Sequence, residues 1–368
     1  MASVRQPPRS AVRPGGRPLR RKAMMAYATI RDVARRAGVS VSTVSRALND
    51  SGRISPATRQ RINQVIHDLH YVPDSRARSM HSAHSRTIGL LIPDIRNSYF
   101  ADLAYLIQGQ LLNHGFQTLI CTSTQGDPGE DRAQVRNLLG QHIDGAIIVP
   151  GPRSSHTLEE LTRRGLPLVC VDRAAEGAAG RGGRAIPCVD ADPEPGLRQA
   201  LEDLHAQGHR RITLVPGPLR ESATFRERLD VYRDLLAGIE GMDDPLADQV
   251  EPGTFDPDMI DLWARQGITG VLFGSSLDAI RAIKTAQSRA ISIGEDLSMV
   301  TFDDLPVFRI LTPAVSTISQ QIDTMGTRCV DMLLALMAGS PVRSVRLQTS
   351  YRHCASVGRP PAHTGQDP

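Results

Sequence analysis

Arg46 stands just behind a run of small side chains, Ser40, Val41, Ser42, Thr43 and Ser45, and three residues ahead of Asn49. A guanidinium can pair bidentately with guanine, and such a pair is worth roughly 1–3 kcal/mol of discrimination against the wrong base. Hydroxyls and amides suit phosphates or base edges, and Val41 suits a thymine methyl. A second set of residues, much further along, has the chemistry to hold a small polar molecule. Tyr99, Phe100 and Phe255 offer aromatic faces, and Asp172 and Asp303 offer carboxylates at the ends of apolar runs. Arg228 follows Thr224 by one helical turn, so both can face one side of a helix. Arg228 with Asp172 and Asp303 could hold adjacent hydroxyls by charge-assisted hydrogen bonds, about twice as strong as neutral ones.

The elements that must position Arg46 are helices. Thr29-Ile30-Arg31-Asp32 has the form that ties off a helix N-terminus, after which Ile30, Val33, Ala34 and Ala37 share one face. Gly38 breaks that helix, and Ser40 can cap a second one running to about Leu48 with Val44, Ala47 and Leu48 inward. Ser55-Pro56 opens a third helix with the stripe Ile62, Val65, Ile66 and Leu69, ended by Pro73. Helix, tight turn and second helix form a helix-turn-helix, whose second helix fits a major groove of about 12 Å.

Asp74 to His81 predicts one more helix of about two turns, marginal by itself. Beyond it, apolar runs alternate with amphipathic stretches: Thr87–Pro93, Gln117–Cys121, Ala146–Pro150, Leu168–Asp172, Ile212–Pro216, Gly270–Phe273 and Ser298–Phe302. Buried strands alternating with helices predict an α/β body with parallel sheets, long enough for two lobes and a cleft.

Charge divides the chain of 368 residues in the same place. Residues 1–26 hold seven basic and no acidic residues, 27–86 ten basic against four acidic, and the remainder 26 basic against 35 acidic. A basic front end on an acidic body predicts a polyanion-binding head on a domain with another task. No run approaches the roughly 18 apolar residues of a membrane span, and no apolar core of a secretory signal follows the basic start. Five scattered cysteines without C-x-x-C spacing fit reduced thiols in the cytoplasm. Residues 1–26 read as a disordered tail, with Met24 or Met25 an alternative start that intact mass would decide. G-x-S-x-G, the phosphate loop and H-E-x-x-H are all absent, which argues against an enzyme and leaves no cofactor or metal site in view.

Ala28–Ser40 followed by Thr43-Val44-Ser45-Arg46-Ala47-Leu48-Asn49 closely resembles the lactose-repressor/galactose-repressor (LacI/GalR) family. The likeness continues through Tyr71-Val72-Pro73, Ala77-Arg78-Ser79-Met80 and Thr87–Pro93, then more loosely to about residue 356. It implies a helix-turn-helix DNA-binding domain at 27–73, a hinge helix and linker at 74–86, and a two-lobed periplasmic-binding-protein-like effector domain with Rossmann-like lobes at 87–356. Residues 357–368 are expected to be a disordered tail. The implied groove readers are Val41, Ser42 and Arg46, with Thr29, Ser40, Ser45, Asn49 and Tyr71 at backbone-contacting positions. Met80 stands where the family's hinge helix inserts a leucine into the minor groove, and an apolar wedge is kept. The implied partners are a pseudopalindromic double-stranded operator, a second copy of the chain and a small effector such as a sugar. Tyr99, Phe100, Asp172, Thr224, Arg228, Phe255 and Asp303 are the effector candidates at positions the resemblance implies. The family often has Asn-Asp where Ser275-Ser276 stand here, so which hydroxyls are read differs, and no known effector transfers.

Overall fold

A computed structural model describes residues 28–361, apart from 49–50, 73–83, 123–127, 153, 176, 178–182, 184, 220–221 and 248–252. The expected hinge helix with Met80, Asn49 and the tail 1–26 therefore lie outside the described residues. Contacts divide the chain into two compact units that meet in sequence between Ala83 and His84.

The first unit holds α1 (Ile30–Ala37), α2 (Val41–Leu48) and α3 (Pro56–Asp68). Thr29 and Asp32 form a reciprocal capping box, satisfying two amide donors that the first turn would leave orphaned. Gly38 ends α1 at φ 63°, a left-handed conformation in which a side chain would be strained. Ser40 Oγ accepts from the Thr43 amide at the start of α2, and Ser55 caps α3 ahead of Pro56. Val33, Ala34, Ala37, Val44, Ala47, Ile62 and Val65 close a small core between the three helices.

The second unit is a pair of α/β lobes. The N-terminal lobe is built on an all-parallel sheet ordered β10-β5-β4-β3-β1-β2. Its strands are β1 (Thr87–Ile92), β2 (Gln117–Thr122), β3 (Gly145–Ile148), β4 (Leu168–Asp172), β5 (Cys188–Asp192) and β10 (Val345–Gln348). Flanking helices are α4 (Ser98–Asn113), α5 (Pro128–Gly140), α6 (Ser155–Arg163) and α12 (Ile322–Met337). The C-terminal lobe has β6 (Ile212–Val215), β7 (Gly270–Phe273), β8 (Ser298–Phe302), β9 (Ser316–Ser319) and β11 (Ser350–Arg352), in the order β11-β9-β8-β7-β6. Only β11 pairs antiparallel in it. Around that sheet lie α7 (Glu194–Gln207), α8 (Ala223–Ala237), α9 (Met259–Arg265), α10 (Ser276–Ser288) and α11 (Pro306–Ile310). Strands β3, β4, β6, β7 and β8 are buried throughout, which is why they read as unbroken apolar runs.

The chain crosses between lobes three times, at Pro193, at Gln320-Gln321 and at Thr349. Thr349 knots two of the crossings: its hydroxyl donates to the Asp192 carbonyl at 2.7 Å and accepts from the Gly196 amide at 2.9 Å. A Cβ on Gly196 would collide with Ile318 and Thr349, so this close approach demands glycine.

Two boundaries and four strands differ from the sequence reading. Ser85 and Arg86, expected in the linker, donate their backbone amides to Asp144 at 2.9 and 2.7 Å and so are anchored to the body. Val357 is buried, and Gly358 bonds Ser298 and His209, so the body runs past the expected end at 356. Strands β5, β9, β10 and β11 were not foreseen, because acids and hydroxyls interrupt the apolar pattern in Cys188–Asp192, Ser316–Ser319 and Ser350–Arg352. Edge strand β10 alternates half-buried and exposed residues.

Candidate functional site

On the head, α2 turns Val44 and Ala47 into the core and leaves Val41, Ser42 and Arg46 exposed on the outer face. Arg46 Nε donates to the Ser42 carbonyl at 3.3 Å, which lays the stem along the helix and leaves the tip in solvent. Ser40, Ser42 and Thr43 form a hydroxyl cluster at the helix start, with Oγ···Oγ distances of 2.8 Å. Thr29 is exposed at the start of α1, and Ser45 is half-buried. Tyr71, expected at a backbone-contacting position, is 9% exposed. It is buried in the three-helix core, because its amide bonds the Ile66 carbonyl and folds the chain back over α3. The exposed Arg31, Arg35 and Arg36 on α1 add positive charge to this unit.

In the body, a cleft of about 260 Å³ is lined from both lobes. Tyr99, Phe100, Asp172 and Arg173 come from the N-terminal lobe, and Thr224, Arg228, Ser275 and Asp303 from the C-terminal one. The two lobes contribute matching parts. Asp172 ends β4 and Asp303 follows β8, so each stands at the carboxyl end of a parallel strand, where α/β sheets bind ligands.

Each of these carboxylates is held. Tyr99 donates its hydroxyl to Asp172 at 2.7 Å, and Arg173 lies 3.5 Å from the same carboxylate with its guanidinium 6.0 Å from the centre of the Phe100 ring. Burial, then the nearby Asp172 and Asp303 charges, push the Tyr99 hydroxyl well above its ordinary pKa, so it stays a donor. Asp303 accepts from Ser276 Oγ at 2.8 Å and from Gln320 Nε2 at 2.6 Å. Burial raises its pKa, while Arg228 and these two donors oppose the rise.

Arg228 is 3% exposed, and its guanidinium stacks 3.9 Å from the centre of the Phe302 ring. It donates to the Gly274 carbonyl, while its Nε has no partner. Gly274 passes so close to Pro216 that any Cβ would fall on the Pro216 carbonyl, which fixes the turn presenting this acceptor. Thr224 lies one turn before Arg228 on α8, as the spacing implied, and both line the cleft.

Phe255 is a correction. It packs against Trp263 and Phe273, with ring centres 5.8 and 6.2 Å away, inside the C-terminal lobe core rather than on the cleft wall, where its neighbour Thr254 stands. The reason is the position of α9, whose Trp263 supplies an aromatic cluster that buries the ring. Sequence reasoning missed Arg173 and Gln320. The charge of Arg173 directly after Asp172 was a signal, whereas Gln320 follows a strand that was not foreseen.

Residues 29–74 match the family model for bacterial regulatory proteins of the lacI family, and residues 201–354 match that for a periplasmic binding protein-like domain. The chain is 31% identical over 324 residues to the ribose operon repressor of Bacillus subtilis (strain 168), covering 87% of this chain and 95% of the relative. It is 31% identical to the HTH-type transcriptional regulator CelR of Thermobifida fusca, covering 87% and 94% of the two chains. Among solved structures, a transcriptional regulator CelR–cellobiose complex is 27% identical with a TM-score of 0.62, covering 89% of this chain and 99% of that one. A lac repressor dimer bound to operator and the anti-inducer ONPF shares the fold, with a TM-score of 0.75 at 24% identity over 90% and 99% of the chains.

Proposed function

We propose, from the premise that this chain belongs to the lacI family of bacterial regulatory proteins, that it is a cytoplasmic transcriptional repressor whose operator binding is set by a small neutral sugar or related metabolite. The observation that carries the reading is the pairing, in one chain, of an exposed α2 face bearing Arg46 with a cleft in which Asp172, Asp303 and Arg228 converge. Donors and acceptors of both charges beside the Phe100 ring suit a molecule with several hydroxyls and an apolar face. Pockets for drug-sized ligands run to about 300–1,000 Å³, so a cleft of about 260 Å³ suits something smaller.

Its role is binding rather than turnover, and it requires no cofactor. Ligand held by both lobes favours one lobe arrangement over another, and only such a differential contact can alter DNA affinity. A homodimer on a pseudopalindromic operator fits the apolar side chains left exposed on the body, among them Tyr105, Leu112, Leu277, Ile280 and Ile310.

The test is a thermal-shift screen of the full chain against D-ribose, D-xylose, D-glucose, D-galactose, cellobiose and hypoxanthine. A bound molecule raises apparent stability by RT ln(1 + [L]/Kd). Fluorescence anisotropy on promoter fragments, with and without the hit, then reads the coupling. A sugar that stabilises the protein and changes operator affinity is the expected result. A hit for hypoxanthine alone would replace the sugar with a nucleobase, and indifference to every promoter fragment would overturn the regulator.

A further inference from the structure

Asp278 sits in the first turn of α10, two residues beyond Ser276, and lines the cleft although its side chain is only 1% exposed. Three carboxylates line this cleft, and they are not equally served. Asp172 has Tyr99 and Arg173, and Asp303 has a donor on each oxygen. Asp278 accepts from Arg281 on Oδ1 at 3.2 Å, and the Phe255 backbone favours its charged form, but Oδ2 has no hydrogen-bond partner. Among the described residues it is the one buried carboxylate oxygen left so. An acceptor buried without a donor carries its full desolvation penalty, and folded proteins rarely keep one without a use.

The ion pair on its other oxygen, Oδ1, is weak. Arg281 stands one turn on, with its side chain 61% exposed, and an ion pair formed that far into water holds little. Burial dominates the surroundings of Asp278 and pushes its carboxyl up to about 6, against the pull of the Phe255 amide and Arg281. The group is thus prepared at the expense of the empty protein's stability, as happens where function outweighs packing.

We infer that Asp278 is a specificity-determining residue of the effector cleft, whose free Oδ2 accepts a hydrogen bond from a hydroxyl of the bound molecule once Arg281 swings aside. This rests on the sugar reading above and narrows it. The part of the ligand that meets α10 is a neutral donor, because a phosphate or carboxylate there would face an unpaired buried anion. Sugar phosphates and sugar acids charged at that end are rejected.

The experiment compares the wild-type chain with Asp278→Asn and Asp303→Asn by calorimetry, using the same six compounds. Cooperative thermal unfolding shows that each variant folds. The amide of Asp278→Asn keeps the shape and one acceptor, so a merely structural role leaves affinity unmoved. The expected result is a loss of about tenfold to a hundredfold for the best wild-type sugar, as for losing a charged acceptor. Single-deoxy analogues of that sugar complete the cycle. The analogue lacking the contacted hydroxyl binds the wild type at least tenfold more weakly, yet binds Asp278→Asn as the parent sugar does. Equal affinity in wild type and Asp278→Asn, or additive losses with every deoxy analogue, overturns the inference. If Asp303→Asn loses binding while Asp278→Asn keeps it, the sugar reading stands and this inference falls. If no sugar binds the wild type, both fall.

Discussion

Asp172 and Asp303 occupy the same left-handed backbone well, at φ 71° and 70°, one in each lobe and each at the end of a buried parallel strand. Aspartate tolerates this conformation better than most residues, yet outside glycine it still costs of order 1–3 kcal/mol. Such a turn at two matching strand ends aims both carboxylates into one cleft, so strain and ligand chemistry coincide.

Asparagine at 303 tests that coincidence. It keeps the left-handed preference and an acceptor for Gln320, turns the other position into an amide that can donate to the Ser276 hydroxyl, and removes a charge that burial disfavours. Asp303→Asn is expected to match or exceed the wild type in thermal stability without ligand, and to bind the effector at least tenfold more weakly by calorimetry.

Acidity acts on Asp278 in a definite direction. Its folded carboxyl titrates at about 6 against an ordinary 3.8, so the native state holds the proton more tightly than the unfolded chain. Stability is therefore expected to fall as pH rises from about 4 to 6, by no more than roughly 3 kcal/mol at 1.36 kcal/mol per unit. Urea unfolding at pH 4.5 and 7 measures it. Asp278→Asn should remove that part of the pH dependence and unfold at higher urea at pH 7, and an identical profile would count against the isolated carboxylate.

For the head, Arg46→Ala is expected to abolish preference for the operator over random DNA, since an exposed guanidinium on α2 is the strongest base reader there. Nonspecific binding should survive with a log–log salt slope of about −0.9 per phosphate neutralised. Anisotropy titrations at several salt concentrations on both sequences read the two effects, and unchanged discrimination would reject the assignment.

The capping box offers a purely structural test. Thr29→Ala is expected to cost the head about 1 kcal/mol, and Thr29→Ser much less, because serine restores the acceptor for the Asp32 amide. The Thr29 side chain and backbone hold the Asp32 carboxyl below its ordinary range, so the box is intact at neutral pH and lost in acid as that carboxyl protonates. Circular dichroism melts of the three proteins at pH 7 provide the comparison.

Local rules were enough for much of this. Thr29, Asp32, Gly38, Ser40, Ser55 and Pro56 act within one turn of their own position, so the helices of the head were legible from short windows. The seven apolar runs became strands, and all but the edge strand β2 did so because a parallel sheet covered on both faces needs unbroken hydrophobic sequence. Asp172, Thr224, Arg228 and Asp303 were singled out at positions matching the family that the sequence resembles, where strand ends and helical spacing agree with them. Tertiary structure alone decided the rest, since burial depends on what arrives from far along the chain. Phe255 looks like a contact residue until Trp263 closes over it. Gln320 meets Asp303 only because β9 joins β8, and Asp278 loses water only because the C-terminal lobe buries the first turn of α10. No window of sequence contains those encounters, which arise from strand order and the three crossings between lobes.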